Sequence, residues 1–208
     1  MKNTLLKGIN LPSYANHNER NQTLMSVLTL LYGLGIKHYE ENSSPDWKWF
    51  EPLLAYDNGM LPLALLHSAE ILNDDKITET AMETMNFLTE ITLKDGYLSI
   101  IGNEKWYKKG GERSMFAQQP VDALAMVLMY HQSFHLTKDK EYLTKLFTSF
   151  MWFLGENDLR MNLFDFETQG CCDGFESNGV NRNQGAESSL AYLISHLTVL
   201  QAFEEFEK

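Results

Sequence analysis

Three acidic residues stand at equal intervals along this chain of 208 residues. Asp122 follows Asp57 by 65 positions, and Glu187 follows Asp122 by the same 65. Each lies where an even-numbered helix is predicted to begin. Cleavage of a glycosidic bond needs one carboxylic acid to protonate the leaving oxygen and one carboxylate to activate water or attack. The alternative is structural, because the dipole of a helix N-terminus favours carboxylates and Asp57 is equally typical of a helix cap.

Two more acids, Glu51 and Asp173, are further candidates for acid/base catalysis in the loops beside these helices. The distance between the two cooperating carboxyl groups would indicate the stereochemical outcome. A separation of about 5 Å favours retention of configuration, and one of roughly 6.5–9.5 Å favours inversion.

Aromatic rings and side-chain amides accompany the acids. Flat rings stack on the C–H faces of sugars, and amides exchange hydrogen bonds with hydroxyl groups. For Trp47 and Trp49 the alternative is that they fill the interior between helices, and for Gln119 that it caps a helix. The predicted binding residues are Trp47, Trp49, Tyr56, Trp106, Gln118, Gln119, Asn181 and Gln184.

Other chemistries find less support in the sequence. His131 and His135 have the i, i+4 spacing of a helical metal site. They lie toward the C-terminal end of a predicted helix, away from the acids, where histidine also favours the helix dipole. The sequence therefore predicts neither a metal nor a cofactor. The adjacent Cys171 and Cys172 match no metal or disulfide framework and are expected to be reduced thiols.

The charge of the chain limits its partners. Seventeen basic residues against twenty-eight acidic ones give a formal net charge of −11. Nucleic acid and anionic membrane surfaces would be repelled, whereas an uncharged sugar would not. The first twenty residues contain no continuous apolar stretch of the secretory type, and the apolar run Leu24–Ile36 is too short to span a bilayer. The sequence therefore predicts a cytoplasmic protein.

Helical periodicity recurs in six segments, which predicts one all-α domain. Their predicted bounds are about Glu19–Glu40, a helix starting after Asn58 and passing Leu72, Lys76–Thr92, Gln119–Leu136, Lys138–Gly155 with Thr137 as its cap, and Ala186–Glu205. Links of about three residues join helices two to three and four to five, whereas the other three links are about fifteen to thirty residues long. Helices joined by short turns form antiparallel hairpins. We therefore expect the three long loops on one face, together with the starts of helices two, four and six. In the second long loop we also expect a small β-hairpin, formed by Tyr97–Ile101 with the Trp106 stretch.

Several loop motifs, in the same order, resemble a bacterial six-hairpin glycosidase-like family. They are Trp47-Lys48-Trp49-Phe50-Glu51, Tyr56-Asp57-Asn58, Gln118-Gln119-Pro120-Val121-Asp122, Gly170-Cys171-Cys172-Asp173-Gly174 and Asn183-Gln184-Gly185-Ala186-Glu187-Ser188. The family is similar to (α/α) toroid glycosidases and epimerases, and its members often occur as domains attached to glycosyltransferases. The resemblance implies a site where the long loops meet.

The resemblance covers about Trp47–Phe203, and with the predicted helices it suggests a division of the chain and a set of partners. Residues 1–18 would be an N-terminal extension, and residues 19–208 a partial toroid with three of the usual six hairpins. Such a half could be a fragment, a minimal relative, or a unit that pairs with a second copy of itself. The expected function is that of a glycoside hydrolase-like protein acting on a neutral saccharide. The alternatives are a non-catalytic glycan-binding or scaffold domain that partners a glycosyltransferase, and a helical array for protein interaction.

Overall fold

The computed structural model describes residues 17–206. In that range the chain is mainly helical, with three small antiparallel sheets. The helices are α1 His17–Asn42, α2 Met60–Leu72, α3 Asp75–Thr92, α4 Pro120–Thr137, α5 Glu141–Met151 and α6 Ala186–Phe206, and a 3-10 turn, Trp152–Leu154, follows α5. The strands are β1 Leu53–Leu54, β2 Leu93–Lys94, β3 Tyr97–Leu98, β4 Tyr107–Lys108, β5 Gly174–Glu176 and β6 Gly179–Asn181. The six predicted helices and the all-α character are confirmed. The predicted extension 1–18 lies outside the described residues except for its last two, which belong to α1.

Local signals at the helix ends explain the short connections. Asn73 ends α2 in the left-handed conformation, and the Asp74 carboxylate caps α3 by accepting a hydrogen bond from the Ile77 N–H. Lys138 ends α4 in the same left-handed conformation, so a helix cannot begin there. Thr137 is therefore the last residue of α4, and its prediction as the cap of the fifth helix was wrong.

Helix α4 is the centre of the array. It packs against α2 on one side, α6 on the other, and its own hairpin partner α5. Tyr130 and Met129 on α4 are completely buried, as are Met85 on α3 and Leu146 on α5. Burial of this apolar surface is the main force that holds the helices together and so fixes the positions of their starts.

Backbone pairing joins the three long loops to one another. Strand β1, in the loop before α2, pairs with β4 in the loop before α4. Gln118, at the end of the second loop, forms an isolated bridge with Phe175 in the third. The loops thus meet, as expected from the alternating link lengths.

The predicted β-hairpin has a different partner from the one expected. Tyr97–Leu98 pairs with Leu93–Lys94, and the Trp106 stretch pairs with β1 instead. The reason is the two-residue turn Asp95-Gly96, in which both residues have positive φ. Asp-Gly in this conformation closes the tightest kind of hairpin and matches the twist of its strands.

Apolar side chains are exposed at both ends of the helical array. On α6 they include Leu190, Leu193, Leu197 and Leu200, and on α1 and α2 they include Leu30, Leu34, Leu61 and Ile71. A cavity of about 470 Å³ opens between α1 and α2 beside the second group. None of the helices within residues 17–206 is long and apolar enough to cross a membrane.

Candidate functional site

The three equally spaced acids come together at the starts of α2, α4 and α6. The backbone N–H of Asp57 donates a hydrogen bond of 2.9 Å to Oδ1 of Asp122. The hydroxyl of Tyr56 donates to Oε2 of Glu187 over 3.3 Å. We call Tyr56, Asp57, Asp122 and Glu187 the acid cluster.

The segment before α2 is shaped to bring Asp57 to α4. Asp57 has a left-handed backbone with φ of 55°, and its carbonyl accepts from the Met60 N–H over 3.1 Å. At Gly59 a Cβ atom would lie 2.9 Å from the backbone carbon and Cβ of Ala125. Only glycine lets the first turn of α2 approach α4 this closely. The Asp-Asn-Gly sequence therefore serves a specific close contact.

Burial and mutual repulsion raise the pKa values of two acids in the cluster. Asp122 is only 4% exposed, and its burial, together with the nearby charges of Asp57 and Glu187, raises its pKa to about 7. The hydrogen bonds that its carboxylate accepts from the backbone lower the pKa, but they do not cancel this rise. Burial, followed by repulsion from Glu187, raises the pKa of Asp57 to about 6. Oδ1 of Asp57 and Oδ2 of Asp122 are buried without a hydrogen-bond partner. Asp57 and Asp122 thus keep their protons to a higher pH than an ordinary aspartic acid does.

The members of the cluster differ in their access to a ligand. Asp122 is buried behind Asp57, so it positions the Asp57 backbone and does not face the solvent. Asp57 is partly buried, whereas Glu187 and Tyr56 are exposed. A proton donor and an exposed carboxylate are therefore available at the surface.

A polar cleft of about 450 Å³ adjoins the cluster through Glu187. Its walls come from the second and third long loops and the first turn of α6. The lining residues that carry hydrogen-bonding side chains include Asn103, Gln119, Asp173, Asn181, Glu187 and Ser188. The amide of Asn103 donates to Oε1 of Gln119, which fixes the orientation of both side chains. Such a wall suits a ligand rich in hydroxyl groups.

Asp173 lines this cleft but has a structural task. Its carboxylate accepts hydrogen bonds of 2.7 Å from the Gly185 N–H and the Ser188 hydroxyl, and a third from the Asn183 amide. Burial alone would raise the pKa of Asp173, yet these hydrogen bonds outweigh it and hold the pKa below its usual value. Asp173 thus anchors the start of α6, which argues against a role as general acid.

Trp47 and Trp49 are core residues. They are 2% and 1% exposed, and each packs against Phe87 on α3. The Trp47 indole N–H donates to the carbonyl of Glu51 over 2.7 Å. Neither ring offers a free face to a sugar. Both rings therefore fill the interior, the alternative given above, and do not stack on a ligand.

The remaining four predicted residues lie outside the acid cluster, and of these Gln118 lines the polar cleft. Glu51 is exposed beside the apolar cavity between α1 and α2, and Trp106 is partly exposed in the second long loop without lining the cleft. Gln118 is 1% exposed, and its side chain links Trp152, Met115 and Asp158. Gln184 points to Thr168 and Asp165. Gln118 and Gln184 therefore hold the loops in place.

Sequence reasoning missed Asn103 and Ser188 as parts of the cleft. Ser188 lies one position after Glu187 in the first turn of α6, so the helix assignment could have indicated it. Asn103 offered no such signal, because its place depends on how the second loop folds back on α4. Within residues 17–206, the side chains with metal-ligand spacing lie elsewhere, toward the other end of α4.

Comparison with known proteins adds no family to this picture. No family model matches the chain, and no curated protein is significantly similar to it.

Proposed function

We propose that this protein acts on a neutral saccharide through glycoside hydrolase-like acid/base chemistry at the acid cluster. The observation that carries the proposal is the pairing of Asp57, whose pKa is raised to about 6, with the exposed carboxyl group of Glu187 nearby. Glycoside cleavage needs one carboxyl group that keeps a proton near working pH and a second that does not.

We assign a separate role in this chemistry to each residue of the acid cluster. Asp57 is the general acid that protonates the leaving oxygen, and Glu187 is the carboxylate that activates water or attacks the sugar. Tyr56 orients Glu187 through its hydroxyl. Asp122 is a positioning residue, since it holds the backbone of Asp57 and has no access to the ligand.

The adjoining cleft supports a saccharide as the ligand. Gln119, Asn103 and Asn181 can exchange hydrogen bonds with hydroxyl groups. Tyr56, with 49% of its surface exposed, is the one predicted aromatic residue in the acid cluster and can pack on a sugar ring. The three acids that line the cleft, Asp173, Glu176 and Glu187, disfavour a phosphorylated or anionic ligand.

The test is a screen of 4-nitrophenyl glycosides and of oligosaccharides labelled at the reducing end. Release of nitrophenol or shortening of the labelled chain is expected with the wild-type protein. Asp57→Asn and Glu187→Gln should each lower kcat about 10²–10⁴-fold. Glu90→Gln, an exposed change on α3, is the matched control and should keep full activity. Hydrolysis that both cluster variants retain would contradict the assigned chemistry.

A non-catalytic glycan-binding or scaffold domain that partners a glycosyltransferase is the second candidate. The observation that favours it is that two of the five predicted acids have structural tasks, Asp122 behind Asp57 and Asp173 at the start of α6. Binding of the labelled oligosaccharides without any cleavage would support this candidate. If the chain neither binds nor cleaves any saccharide of the panel, both candidates fail.

We also propose that the helices form half of an (α/α) toroid, as in the six-hairpin glycosidase-like family, and that a second copy completes it. The support is the side-by-side packing of α2, α4 and α6 and the apolar surface at both ends of the array. A two-fold axis would place α6 of each copy against α1 and α2 of the other, so one symmetric arrangement covers both surfaces.

A further inference from the structure

Two helices bring three potential metal ligands together away from the acid cluster. His131 and His135 lie one turn apart in the second half of α4, and Glu205 lies in the last turn of α6. Nε2 of His131 and Nε2 of His135 are each 3.2 Å from Oε2 of Glu205. The two Nε2 atoms are 3.3 Å apart.

These atoms form an almost equilateral triangle, which hydrogen bonding alone explains poorly. A proton directed along one edge of such a triangle points about 60° away from the other edge, where a hydrogen bond is weak. At most two of the three contacts can therefore be good hydrogen bonds. Three potential ligand atoms at nearly equal distances from one another are instead the arrangement expected around a cation.

The size of the triangle indicates the kind of ion. Three corners of a regular tetrahedron with bonds of about 2.0 Å lie roughly 3.3 Å apart, and zinc bonds to histidine nitrogen and carboxylate oxygen have about this length. An octahedral face with the same edges would need bonds of about 2.3 Å, which is too long for Mg²⁺. Imidazole nitrogens also suit zinc, whereas Mg²⁺ and Ca²⁺ take oxygen ligands.

The surroundings hold the ligands in place and leave an approach. Gln201, one turn before Glu205, donates from its amide to Oε1 over 3.0 Å, so Oε2 is left to face the histidines. Partners of this kind, which orient a ligand from outside, are typical of metal sites. The side chains of His131, His135 and Glu205 are 13%, 32% and 22% exposed. An ion could thus enter from solvent and keep a water molecule as fourth ligand.

The backbone also favours a cation at this place. His135 lies in the last turn of α4 and Glu205 in the last turn of α6. The free carbonyl groups of a helix C-terminus carry partial negative charge, which stabilises positive charge nearby. The Glu205 carboxylate adds a full negative charge.

We propose that His131, His135 and Glu205 bind Zn²⁺ tetrahedrally, with water in the fourth position. The sequence does not predict a metal site at the two histidines, because they lie away from the acids. Their third ligand is not visible in the sequence either, since Glu205 stands 74 positions after His131 and reaches it only through the packing of α4 on α6. The bound ion would fasten the C-terminal ends of these two helices to each other.

The test uses the full chain, freed of metal with EDTA and then titrated with Zn²⁺, Co²⁺ or Mg²⁺. One zinc per chain should bind, and Tm should rise by about 5–10 °C when free zinc is about 100-fold above Kd. Co²⁺ should give the intense visible absorption of a tetrahedral site, and Mg²⁺ should change nothing. Calorimetry measures the stoichiometry and the affinity.

Two ligand variants and one control separate this site from adventitious binding. His135→Gln and Glu205→Gln should each weaken zinc binding by more than the roughly 10–100-fold that loss of an outer partner costs. Their circular dichroism and metal-free Tm show whether they fold. His38→Gln, which removes an exposed histidine of α1, should bind like the wild type. Absence of zinc binding by the wild type, binding that both ligand variants keep, or equal loss in the His38 variant would overturn the proposal.

Discussion

The Asp57 N–H lies 2.9 Å from the carboxyl oxygen Oδ1 of Asp122, although the two residues are 65 positions apart in the chain. This contact ties the start of α2 to the first turn of α4. It also places a buried acid directly behind a partly exposed one, and the charge of Asp57 helps burial to raise the pKa of Asp122. The pH dependence of stability follows from the raised pKa of Asp122, and that of activity from the raised pKa of Asp57.

Activity should fall as the pH rises through about 6. Asp57 acts as an acid only while it holds its proton, and burial with repulsion from Glu187 raises its pKa to about 6. The value of kcat on a glycoside that the protein cleaves is therefore expected to decline on the alkaline side of this pH. A profile of initial rates between pH 4 and pH 9 measures it. If kcat is still at its maximum at pH 8, Asp57 is not the acid.

Asp122→Asn should stabilise the protein at alkaline pH. The pKa of Asp122 is about 7 in the fold and about 4 in an unfolded chain. Its contribution to stability is thus fully present below pH 4 and is lost as the pH rises through 7. The neutral amide avoids this loss, so the free energy of unfolding at pH 8 should increase by up to about 4 kcal/mol. Urea denaturation of both proteins at pH 4 and pH 8 tests this. A difference in the free energy of unfolding between the two proteins that is the same at both pH values would contradict the prediction.

Gly59→Ala should destabilise the protein by about 1–3 kcal/mol, as overpacking does in a close-packed site. The added Cβ would lie 2.9 Å from backbone and side-chain atoms of Ala125. Gly33→Ala is the matched control, since a Cβ there meets nothing within 4 Å and the residue lies inside α1. That change should be neutral or stabilise by up to about 1 kcal/mol, the difference in helix propensity. Equal effects of the two changes in urea denaturation would show that α2 does not need this close approach.

Asp173→Ala should lower the free energy of unfolding at pH 7 by about 1–3 kcal/mol, because it removes a charged acceptor and leaves the Gly185 N–H and the Ser188 hydroxyl without this partner. The hydrogen bonds to its carboxylate keep the pKa low in the fold. The stabilisation is therefore present above the unfolded pKa of about 4 and is lost as the pH falls through the lower folded pKa. The difference from the wild type should thus vanish in strong acid. Glu90→Ala is the control and should leave the free energy of unfolding unchanged. If Asp173→Ala has the same Tm as the wild type at pH 7, Asp173 does not stabilise the start of α6.

Leu193→Glu combined with Leu197→Glu should dissociate the proposed pair of copies. Both leucines are exposed on α6, and two buried charges without partners would oppose association strongly. Light scattering after gel filtration at several concentrations gives the mass of each species. Asn86→Glu, on exposed α3 surface, should keep the wild-type mass. A wild-type chain that is monomeric at every concentration would exclude the pairing.

The helices could be predicted because their signals are local. Leucine spacing, Pro120 in the first turn of α4, and the alternation of short and long links all depend on neighbouring residues. The meeting of Asp57, Asp122 and Glu187 followed from the same argument, because parallel helices begin at one face.

The roles of single side chains could not be predicted in this way. Trp47 and Trp49 looked like a binding surface because sequence alone does not show which side of a loop faces the core. Phe87, which covers both rings, is about 40 positions away on α3. Glu205 was missed as a companion of His131 for the same reason. Tertiary packing decides both cases.

The pairing of β1 with β4 and of Gln118 with Phe175 has a consequence for engineering. A single long loop cannot be exchanged for another without leaving unpaired backbone groups in its neighbours. The segment that can be transferred to another protein is the whole set of three loops with the first turns of α2, α4 and α6. Grafting experiments and designed variants should therefore transfer that set together, on a scaffold that presents three parallel helix starts.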